Sequence, residues 1–218
     1  NIKNKKNILI RLITTIFINM FFNKKFILAS SSSSRYKILK NNNLSFTVIK
    51  PKCNEELLKK RLIRDKTEIK KISLELARLK SQSVSLLKKN ILVVGSDTVI
   101  NFNNKLLSKA KNLNEAKIKI FKTSGKTQQI YSSASAYYNN VEIWHSTQKT
   151  TIKMRQISKK EINKYLSFSG KEILTSVGSF QLEKMGPNIV ENIKGDFFNV
   201  MGFPLFPFLK FLKKYKNR

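Results

Sequence analysis

The chain has 218 residues, 41% of them hydrophobic, so it can bury a substantial core and its composition excludes an intrinsically disordered protein. A single cysteine, Cys53, excludes an internal disulfide and a metal site built from several thiolates. The net charge of +30 comes from 43 basic and 13 acidic residues and is typical of proteins that bind polyanions.

The N-terminal segment is apolar from Ile8 to Phe22 and has basic residues before it. It is shorter than the ~20 residues that a helix needs to span a bilayer, and Arg11 interrupts it. We therefore expect residues 1–22 to be an extension outside the folded domain, which would cover residues 23–218. A membrane anchor is the less favoured alternative. The single thiol fits a reducing compartment, so we expect the protein in the cytoplasm.

After this segment, short β-rich runs alternate with stretches of helical spacing. Apolar runs predict strands over residues 26–29, 46–49, 91–94, 128–137 and 141–154. Apolar residues three and four apart predict helices over residues 35–39, 57–87, 114–121, 158–166 and 204–215. Ser158 and Glu161 form a capping box at the start of one helix. This order predicts an α/β fold in which a mixed, twisted sheet is flanked by helices.

A run of serines, residues 30–34, which we call the serine loop, precedes Arg35 between the first predicted strand and helix. Hydroxyls and free main-chain N–H groups at a helix N-terminus bind anions, and an arginine adds a bidentate phosphate donor. A serine-rich turn that only caps the helix explains the same residues equally well. The residue pattern alone therefore makes this segment one of two things, a phosphate site or a cap.

Asp97 belongs to the block Gly95-Ser96-Asp97-Thr98, which follows the most apolar predicted strand, and we expect it at the tip of that strand. A carboxylate there can bind a divalent ion or activate water. A turn or cap aspartate is commoner, but the scarcity of acids in this chain favours a functional role. Lys80 and Lys109 are expected to be solvated surface lysines. His145, the only histidine, is expected to be structural or exposed, since no second ligand offers metal spacing.

Taken in order, these segments resemble the Maf-like family of nucleoside triphosphate pyrophosphatases. The opening L-A-S-x-S-P-R-R-x-x-L-L motif of that family is similar to residues 28–39, its L-A-x-x-K-A motif to residues 76–81, and its G-A-D-T block to residues 95–98. Further family motifs are similar to residues 54–55, 106–110, 115–116, 124–128, 177–183 and 195–204. The resemblance extends from about residue 26 to residue 212.

The resemblance implies an ITPase-like arrangement of two lobes around a nucleotide cleft, with a Mg²⁺ or Mn²⁺ ion on the triphosphate. It implies that phosphates are bound by Ser30, Ser32 and Arg35. It implies that the metal is held by Glu55 and Asp97, and that Asp97 accepts the proton of the attacking water. Charge on the departing pyrophosphate would be neutralised by Lys80 and Lys109. The positions at which the family distinguishes bases are Ser34, Thr98 and Glu183.

Several positions depart from the family pattern. Asn54 stands where the family has an aspartate beside Glu55, which is expected to weaken metal binding, and Ala110 and Gln128 replace a proline and a histidine. The base is left open, because Thr98 resembles the members that act on dTTP and UTP, whereas Glu183 resembles those that act on 7-methyl-GTP. The resemblance also leads us to expect a homodimer.

A basic nucleic-acid-binding protein without catalysis is the alternative that the charge suggests. The lysines, however, are spread along the whole chain, and the phenylalanines lie mainly in apolar runs, which is typical of core residues and not of a stacking platform. We therefore interpret most of the charge as a bias of solvated faces. We expect a nucleoside triphosphate as the partner, and neither a stable nucleic-acid partner nor a membrane.

Overall fold

The structure is a computed structural model, and it describes residues 24–215. The predicted extension, residues 1–22, lies outside the described residues and stays a prediction. Within the described range, no helix has both the length and the apolar character that a membrane crossing requires.

Residues 24–215 form seven strands and seven helices. The strands are β1 (Phe26–Ala29), β2 (Phe46–Ile49), β3 (Leu92–Phe102), β4 (Lys105–Leu106), β5 (Thr127–Tyr138), β6 (Val141–Met154) and β7 (Val190–Lys194). The helices are α1 (Ser33–Asn41), α2 (Glu55–Arg64), α3 (Ile69–Ser85), α4 (Leu113–Thr123), α5 (Lys159–Ser169), α6 (Phe197–Met201) and α7 (Leu205–Lys214). Two 3₁₀ segments, Gly170–Thr175 and Gly186–Asn188, lie between α5 and β7.

All seven strands belong to one mixed sheet, which confirms the predicted α/β fold. Its order is β2-β1-β3-β5-β6-β7, with β4 paired to β3. β1 is parallel to β2 and β3, and the later neighbours are antiparallel. β1 covers only the first part of β3, because its last residue, Ala29, pairs with Gly95. Between Gly95 and Asn101, where β4 begins to pair, none of the described strands covers this edge of β3.

The predicted single helix over residues 57–87 is wrong, because the chain turns between α2 and α3. Lys66 adopts a left-handed conformation with a φ of 51°, and the N–H of Thr67 donates to the carbonyl of Leu62 at 2.9 Å. These features end α2 in the manner of a helix C-terminus. The left-handed position is usually glycine or asparagine, so a lysine there gives no stop signal in the sequence.

The buried side chains form two main clusters, and we call the part of the fold around each cluster a lobe. The first packs β1 and β3 against α1 and α7 and includes Phe26, Ile38 and Phe208. The second packs the distal parts of the central strands against α4 and α5 and includes Ile120 and Ile162. Helix α3 covers the opposite face of the sheet near its centre. The cleft described below takes its lining from both lobes.

A cluster of ion pairs joins α3 to β6. The guanidinium of Arg78 donates to both carboxylate oxygens of Glu142, at 3.0 and 3.2 Å, and to Glu75 at 2.8 Å. The hydroxyl of Ser135 also donates to Glu142, at 2.8 Å. Partial burial acts to raise the pKa of Glu142, but the bonds from Arg78 and Ser135 together outweigh it, so the pKa of this carboxyl lies below its ordinary value.

We expect Arg78→Met to lower the melting temperature at neutral pH and much less in acid. The pKa of Glu142 is lower in the folded than in the unfolded chain, so its stabilising contribution is present above the unfolded pKa and is lost as the pH falls through the folded value. The cluster is partly exposed, so the effect at pH 7 should be about 1 kcal/mol or less, a fall of roughly 2–4 °C at most. Thermal unfolding from pH 7 to pH 3 measures it.

The matched control is Arg64→Met, which removes an exposed pair with Asp65 and should change the melting temperature little. A difference between Arg78→Met and the wild type that stays constant on acidification would contradict the role assigned to Glu142.

Candidate active site

One cleft of about 680 Å³ opens beside the uncovered edge of β3, and its volume is in the usual range for small-molecule sites. The structure brings every predicted site residue to the lining of this cleft, namely Ser30, Ser32, Ser34, Arg35, Glu55, Lys80, Asp97, Thr98, Lys109 and Glu183. Their positions are compatible with the roles that the resemblance implies, and the roles themselves stay predictions.

The serine loop forms the N-terminal end of α1. The Oγ of Ser32 accepts the main-chain N–H of Arg35 at 3.4 Å and caps the helix, and the Oγ of Ser30 accepts the N–H of Ser32 at 3.1 Å. The first turn of α1 contains no acidic residue. The positive end of the helix dipole therefore faces the cleft with no acidic residue of α1 itself to neutralise it, which suits an anionic ligand. The cap and the phosphate site, two alternatives in the sequence, are compatible in the structure.

Arg35 lies at the floor of the cleft and is 8% exposed. Its Nε donates to the carbonyl of Gly202 at 2.9 Å, and its Nη2 donates to the hydroxyl of Thr98 at 3.2 Å. Burial lowers the pKa of Arg35 from its ordinary value, whereas the charges of Asp97 and Glu55 act to raise it. Because the two groups that bond this buried guanidinium, a carbonyl and a hydroxyl, are neutral, its positive charge remains available to a ligand.

The prediction that Asp97 lies at the tip of a strand is wrong, because Asp97 lies in the middle of β3. The apolar run over residues 91–94 is mainly the part of β3 that β1 covers, and the strand then continues along β5 as far as Asn101. Side chains alternate along a strand, so Asp97 faces α3 while Thr98 faces the opposite side of the sheet. Both line the cleft, which therefore wraps around the open edge of β3.

The expectation that Lys80 is a solvated surface lysine is wrong. Its side chain is 7% exposed, and Nζ lies 2.6 Å from Oδ1 of Asp97 and 2.8 Å from Oε2 of Glu55. A buried ammonium group needs such partners to offset the loss of water. One cation therefore joins the start of α2, the middle of α3 and the middle of β3 in a single cluster.

Gly95 allows Lys80 to reach Asp97. A Cβ atom on Gly95 would lie 2.5 Å from the carbonyl oxygen of Ala77 and 2.6 Å from the nitrogen of Ser81. Helix α3 thus crosses β3 with its main chain directly against the strand. Lys80 lies on α3 at this crossing, and Asp97 lies two residues further along β3 than Gly95. The close crossing therefore brings the two charges together while both remain buried.

We expect Gly95→Ala to destabilise the fold by about 3 kcal/mol and to abolish most activity. Both clashing atoms belong to the main chain, so α3 must move away from β3, and overpacking of this kind commonly costs about 1–3 kcal/mol. Gly170→Ala is the comparison variant, because its Cβ would meet nothing within 4 Å, although its φ of +59° adds some strain. Thermal unfolding measures both, and a Gly95→Ala protein as stable as Gly170→Ala would contradict the close crossing.

Asn54 and Glu55 begin α2. The side chain of Asn54 accepts the N–H of Leu57 at 2.9 Å and caps the helix. Asparagine and aspartate cap helices equally well, so the departure from the family pattern at residue 54 keeps the local structure that presents Glu55. Its expected effect on metal affinity stays a prediction.

The donor set fits a small, hard divalent ion. Glu55 and Asp97 share one ammonium group, and both line the cleft together with the serine loop. Mg²⁺ is commonly bound by one or two carboxylates, by waters and by substrate phosphates. Within residues 24–215, no group of three or more His, Cys, Asp or Glu side chains comes together.

Lys109 lies at the rim of the cleft, where part of its side chain is exposed, as the sequence predicted. Partial burial by the cleft walls lowers its pKa, and the positive charges of Arg35 and Lys80 lower it further, against the opposite effect of Asp97 and Glu55. The cleft is lined by four cationic residues, Arg35, Lys59, Lys80 and Lys109.

The other end of the cleft joins the serine loop to the segment before β7. The hydroxyl of Ser34 donates to Oε1 of Glu183 at 3.1 Å, across 149 positions of sequence. Apolar side chains line this end, among them Leu174, Val177, Phe180 and Leu182. The cleft thus combines polar and charged side chains with apolar ones, and a nucleotide with phosphates and a base requires both.

A family model described as Maf-like protein matches residues 25–215. The chain belongs to the Maf-like family. The match includes α1, the Gly95–Thr98 block and Gly202, so the cleft is part of the domain that defines the family.

Relatives within the Maf-like family agree with this assignment over most of their length. A nucleoside triphosphate pyrophosphatase of Caulobacter vibrioides is 31% identical over 186 residues, 85% of this chain and 93% of that protein. A 7-methyl-GTP pyrophosphatase of Bartonella quintana is 34% identical over 183 residues, 84% of this chain and 91% of that protein. A solved structure, the Ham1 protein of Staphylococcus aureus, is similar at 18% identity over 62% of this chain and 73% of that one, with a TM-score of 0.35.

Several residues behind Arg35 were not assigned a role from the sequence. The carbonyl of Gly202 accepts from Arg35 and from the hydroxyl of Ser96 at 3.2 Å, and the hydroxyl oxygen of Thr98 lies 3.3 Å from it. Gly202 has a φ of +107° at the end of α6. A glycine after a helical pattern signals a helix end, but α6 has only five residues, too few to show such a pattern.

Proposed function

We propose that the protein hydrolyses the bond between the α- and β-phosphates of a nucleoside triphosphate, giving the nucleoside monophosphate and pyrophosphate. The observation that carries this proposal is the Lys80 cluster with Asp97 and Glu55, which faces the same cleft as the serine loop and Arg35. Anion donors beside paired carboxylates suit a polyphosphate that arrives with a divalent ion. The names of the relatives from Caulobacter and Bartonella support the same reaction class.

In this reaction a water oxygen forms a bond to the α-phosphorus while the bond from that phosphorus to the bridging oxygen breaks. Asp97 accepts a proton from the attacking water, and the departing pyrophosphate keeps the electron pair of the broken bond. Lys80 and Lys109 offset the negative charge that develops on the pyrophosphate, while the serine loop and Arg35 orient the phosphates. Positioning and charge neutralisation are the main requirements of such transfers.

A Mg²⁺ or Mn²⁺ ion would be held by Glu55 and Asp97 together with phosphate oxygens, and it would supply a Lewis acid at the phosphates. The ammonium of Lys80 holds the two carboxylates together at the cleft, 2.6 Å from Oδ1 of Asp97 and 2.8 Å from Oε2 of Glu55.

At the apolar end of the cleft, we expect Glu183 to contact the base. The hydroxyl of Thr98 is engaged by Arg35 and Ser132, whereas Glu183 is exposed and its carboxylate accepts from the half-buried Ser34 at the cleft wall. A carboxylate there favours a base that carries positive charge or N–H donors, such as 7-methylguanine. This contact would resolve the two conflicting signals, Thr98 and Glu183, in favour of Glu183.

A substrate panel tests the proposed function. The protein is incubated with Mg²⁺ and with dTTP, UTP, GTP and 7-methyl-GTP in turn, and nucleotide and inorganic products are quantified separately. We expect monophosphate and pyrophosphate in equal amounts, with the highest kcat/KM for 7-methyl-GTP. Orthophosphate as the sole inorganic product, with every substrate that reacts, would overturn the proposal.

We expect kcat/KM to fall as the pH becomes alkaline, and to begin falling at a lower pH than that at which an ordinary lysine loses its proton. The pKa of Lys109 is lowered, so this lysine loses its proton, and with it the charge that offsets pyrophosphate, earlier than a free lysine would. Profiles of kcat/KM from pH 6 to pH 10.5 for the wild type and Lys109→Met check this. The variant should be slower and should lack this alkaline limb, and an unchanged limb would assign it to another group.

A further inference from the structure

Asn199 is completely buried in α6 and makes an unusual set of contacts with the sheet. Its Oδ1 accepts the main-chain N–H of Ser132 at 3.0 Å. Its Nδ2 donates to the carbonyl of Ile130 at 3.3 Å and to the hydroxyl of Thr150 at 2.9 Å. The side-chain amide thus bonds main-chain groups of β5 as a neighbouring strand would, and it fixes α6 to the sheet.

The segment that Asn199 anchors ends at Gly202, which is the acceptor for Arg35. Gly202 lies three positions after Asn199, directly after the end of α6, and its carbonyl accepts from Nε of Arg35 at 2.9 Å. A rigid guanidinium can aim its remaining N–H groups into the cleft only if this acceptor is held in place. The position of Arg35 therefore depends on where α6 is fixed, and not on the serine loop alone.

A second connection runs through hydroxyl groups. Ser132 donates its one hydroxyl proton to the carbonyl of Asn199 at 2.7 Å, so in its 2.8 Å contact with Thr98 it accepts. The Oγ1 of Thr98 in turn accepts from Nη2 of Arg35. The main chain at Asn199 is thus joined to both guanidinium contacts of Arg35, one through Gly202 and one through Ser132 and Thr98, and the side-chain amide of Asn199 holds this main chain against β5 and β6.

We infer that Asn199 is a positioning residue for phosphate binding, and that it acts through Arg35. This inference rests on the proposed function only in that Arg35 binds phosphates. It explains why a fully buried amide, remote from solvent, bonds main-chain groups of β5, the strand that contributes Ile130 to the cleft lining. Asn199 itself is not among the residues that line the cleft, and so it has no part in the chemistry.

A double-mutant cycle on ligand binding tests the inference. Calorimetry with Mg²⁺ and inorganic tripolyphosphate is applied to the wild type, Asn199→Ala, Arg35→Ala and the double variant. We expect about tenfold weaker binding for Asn199→Ala and about 10- to 100-fold weaker binding for Arg35→Ala. The double variant should bind no more weakly than Arg35→Ala, because the effect of Asn199 passes through the arginine.

Thermal unfolding of each variant separates positioning from stability. Asn42→Ala is the matched control, since its amide also donates to a main-chain carbonyl, that of Ile38, on the helix that carries Arg35. We expect it to bind tripolyphosphate as the wild type does. If Asn199→Ala does not unfold cooperatively, Thr150→Val takes its place in the cycle, because it removes the hydroxyl that accepts from Nδ2 of Asn199 and Thr150 does not line the cleft.

Two results would overturn the inference while leaving the proposed function intact. The first is a loss on Asn199→Ala that multiplies fully with that of Arg35→Ala, and the second is a lower melting temperature with unchanged affinity. Unchanged affinity in Arg35→Ala would remove the phosphate role of the arginine, and the inference would fall together with that part of the proposed function.

Discussion

Asp97→Asn is expected to reduce kcat by about 10²- to 10⁴-fold, the usual range for the loss of a proton acceptor. An asparagine fits the same space in the middle of β3 but neither accepts a proton nor offers a charged oxygen to a metal ion. Lys80 keeps its 2.8 Å contact with Glu55, so the local fold should persist. Steady-state kinetics with Mg²⁺ and the preferred nucleotide measure the effect.

The matched control for this variant is Asp65→Asn. Asp65 follows α2, pairs with the exposed Arg64 and does not line the cleft, so its loss removes the same charge without touching the site. We expect its kcat to equal that of the wild type. An Asp97→Asn protein with more than about a tenth of the wild-type kcat would be incompatible with a proton acceptor at this position.

Lys80→Met is expected to lower kcat by about 10²- to 10³-fold, a typical cost of removing one group that stabilises developing charge. Methionine fills a similar volume but leaves the carboxylates of Asp97 and Glu55 without their shared cation. Lys80→Arg should recover only part of the rate, because a planar guanidinium does not replace a compact ammonium between two carboxylates.

Lys71→Met, an exposed lysine on the same helix, is the control for Lys80→Met and should retain full activity. Circular dichroism and thermal unfolding establish that both variants are folded before rates are compared. Equal kcat values for the two methionine variants would show that the buried cation has no part in the reaction.

Elements with strong local signals were predictable from the sequence. The strand over residues 141–154 and the capping box of Ser158 and Glu161 are confirmed. Both were predictable because the strand depends on alternation and the capping box on side chains a few positions apart. β4 and β7, by contrast, are short and depend on pairing with distant strands, and α6 is too short to show a helical period. The break between α2 and α3 depends on a left-handed lysine, which carries no signal.

The candidate site was only partly predictable from the sequence. The residue pattern left the serine loop undecided between a cap and a phosphate site, and it placed Lys80 on the surface. The resemblance to the Maf-like family implied that the serine loop binds phosphates and that Lys80 neutralises charge in the same active site. Neither route could show that α3 crosses β3 at Gly95, or that Lys80 is buried between two carboxylates, because both facts depend on the packing of distant elements.

The network behind Arg35 also lay beyond the sequence. Asn199 and Gly202 were visible only as parts of a motif at residues 195–204, without a physical role. Their contacts with β5 and α1 join positions more than 60 residues apart, and no local pattern encodes such contacts. Buried polar side chains of this kind are recognised only once their partners are known.

The fate of the water oxygen tests the central claim most directly. The preferred nucleotide is hydrolysed in H₂¹⁸O with Mg²⁺, and the monophosphate and the inorganic product are analysed by mass spectrometry. Attack on the α-phosphorus, with Asp97 as proton acceptor and pyrophosphate as the leaving group, predicts one ¹⁸O in the monophosphate and none in the pyrophosphate. Label in pyrophosphate, or labelled orthophosphate with a nucleoside diphosphate, would contradict the account.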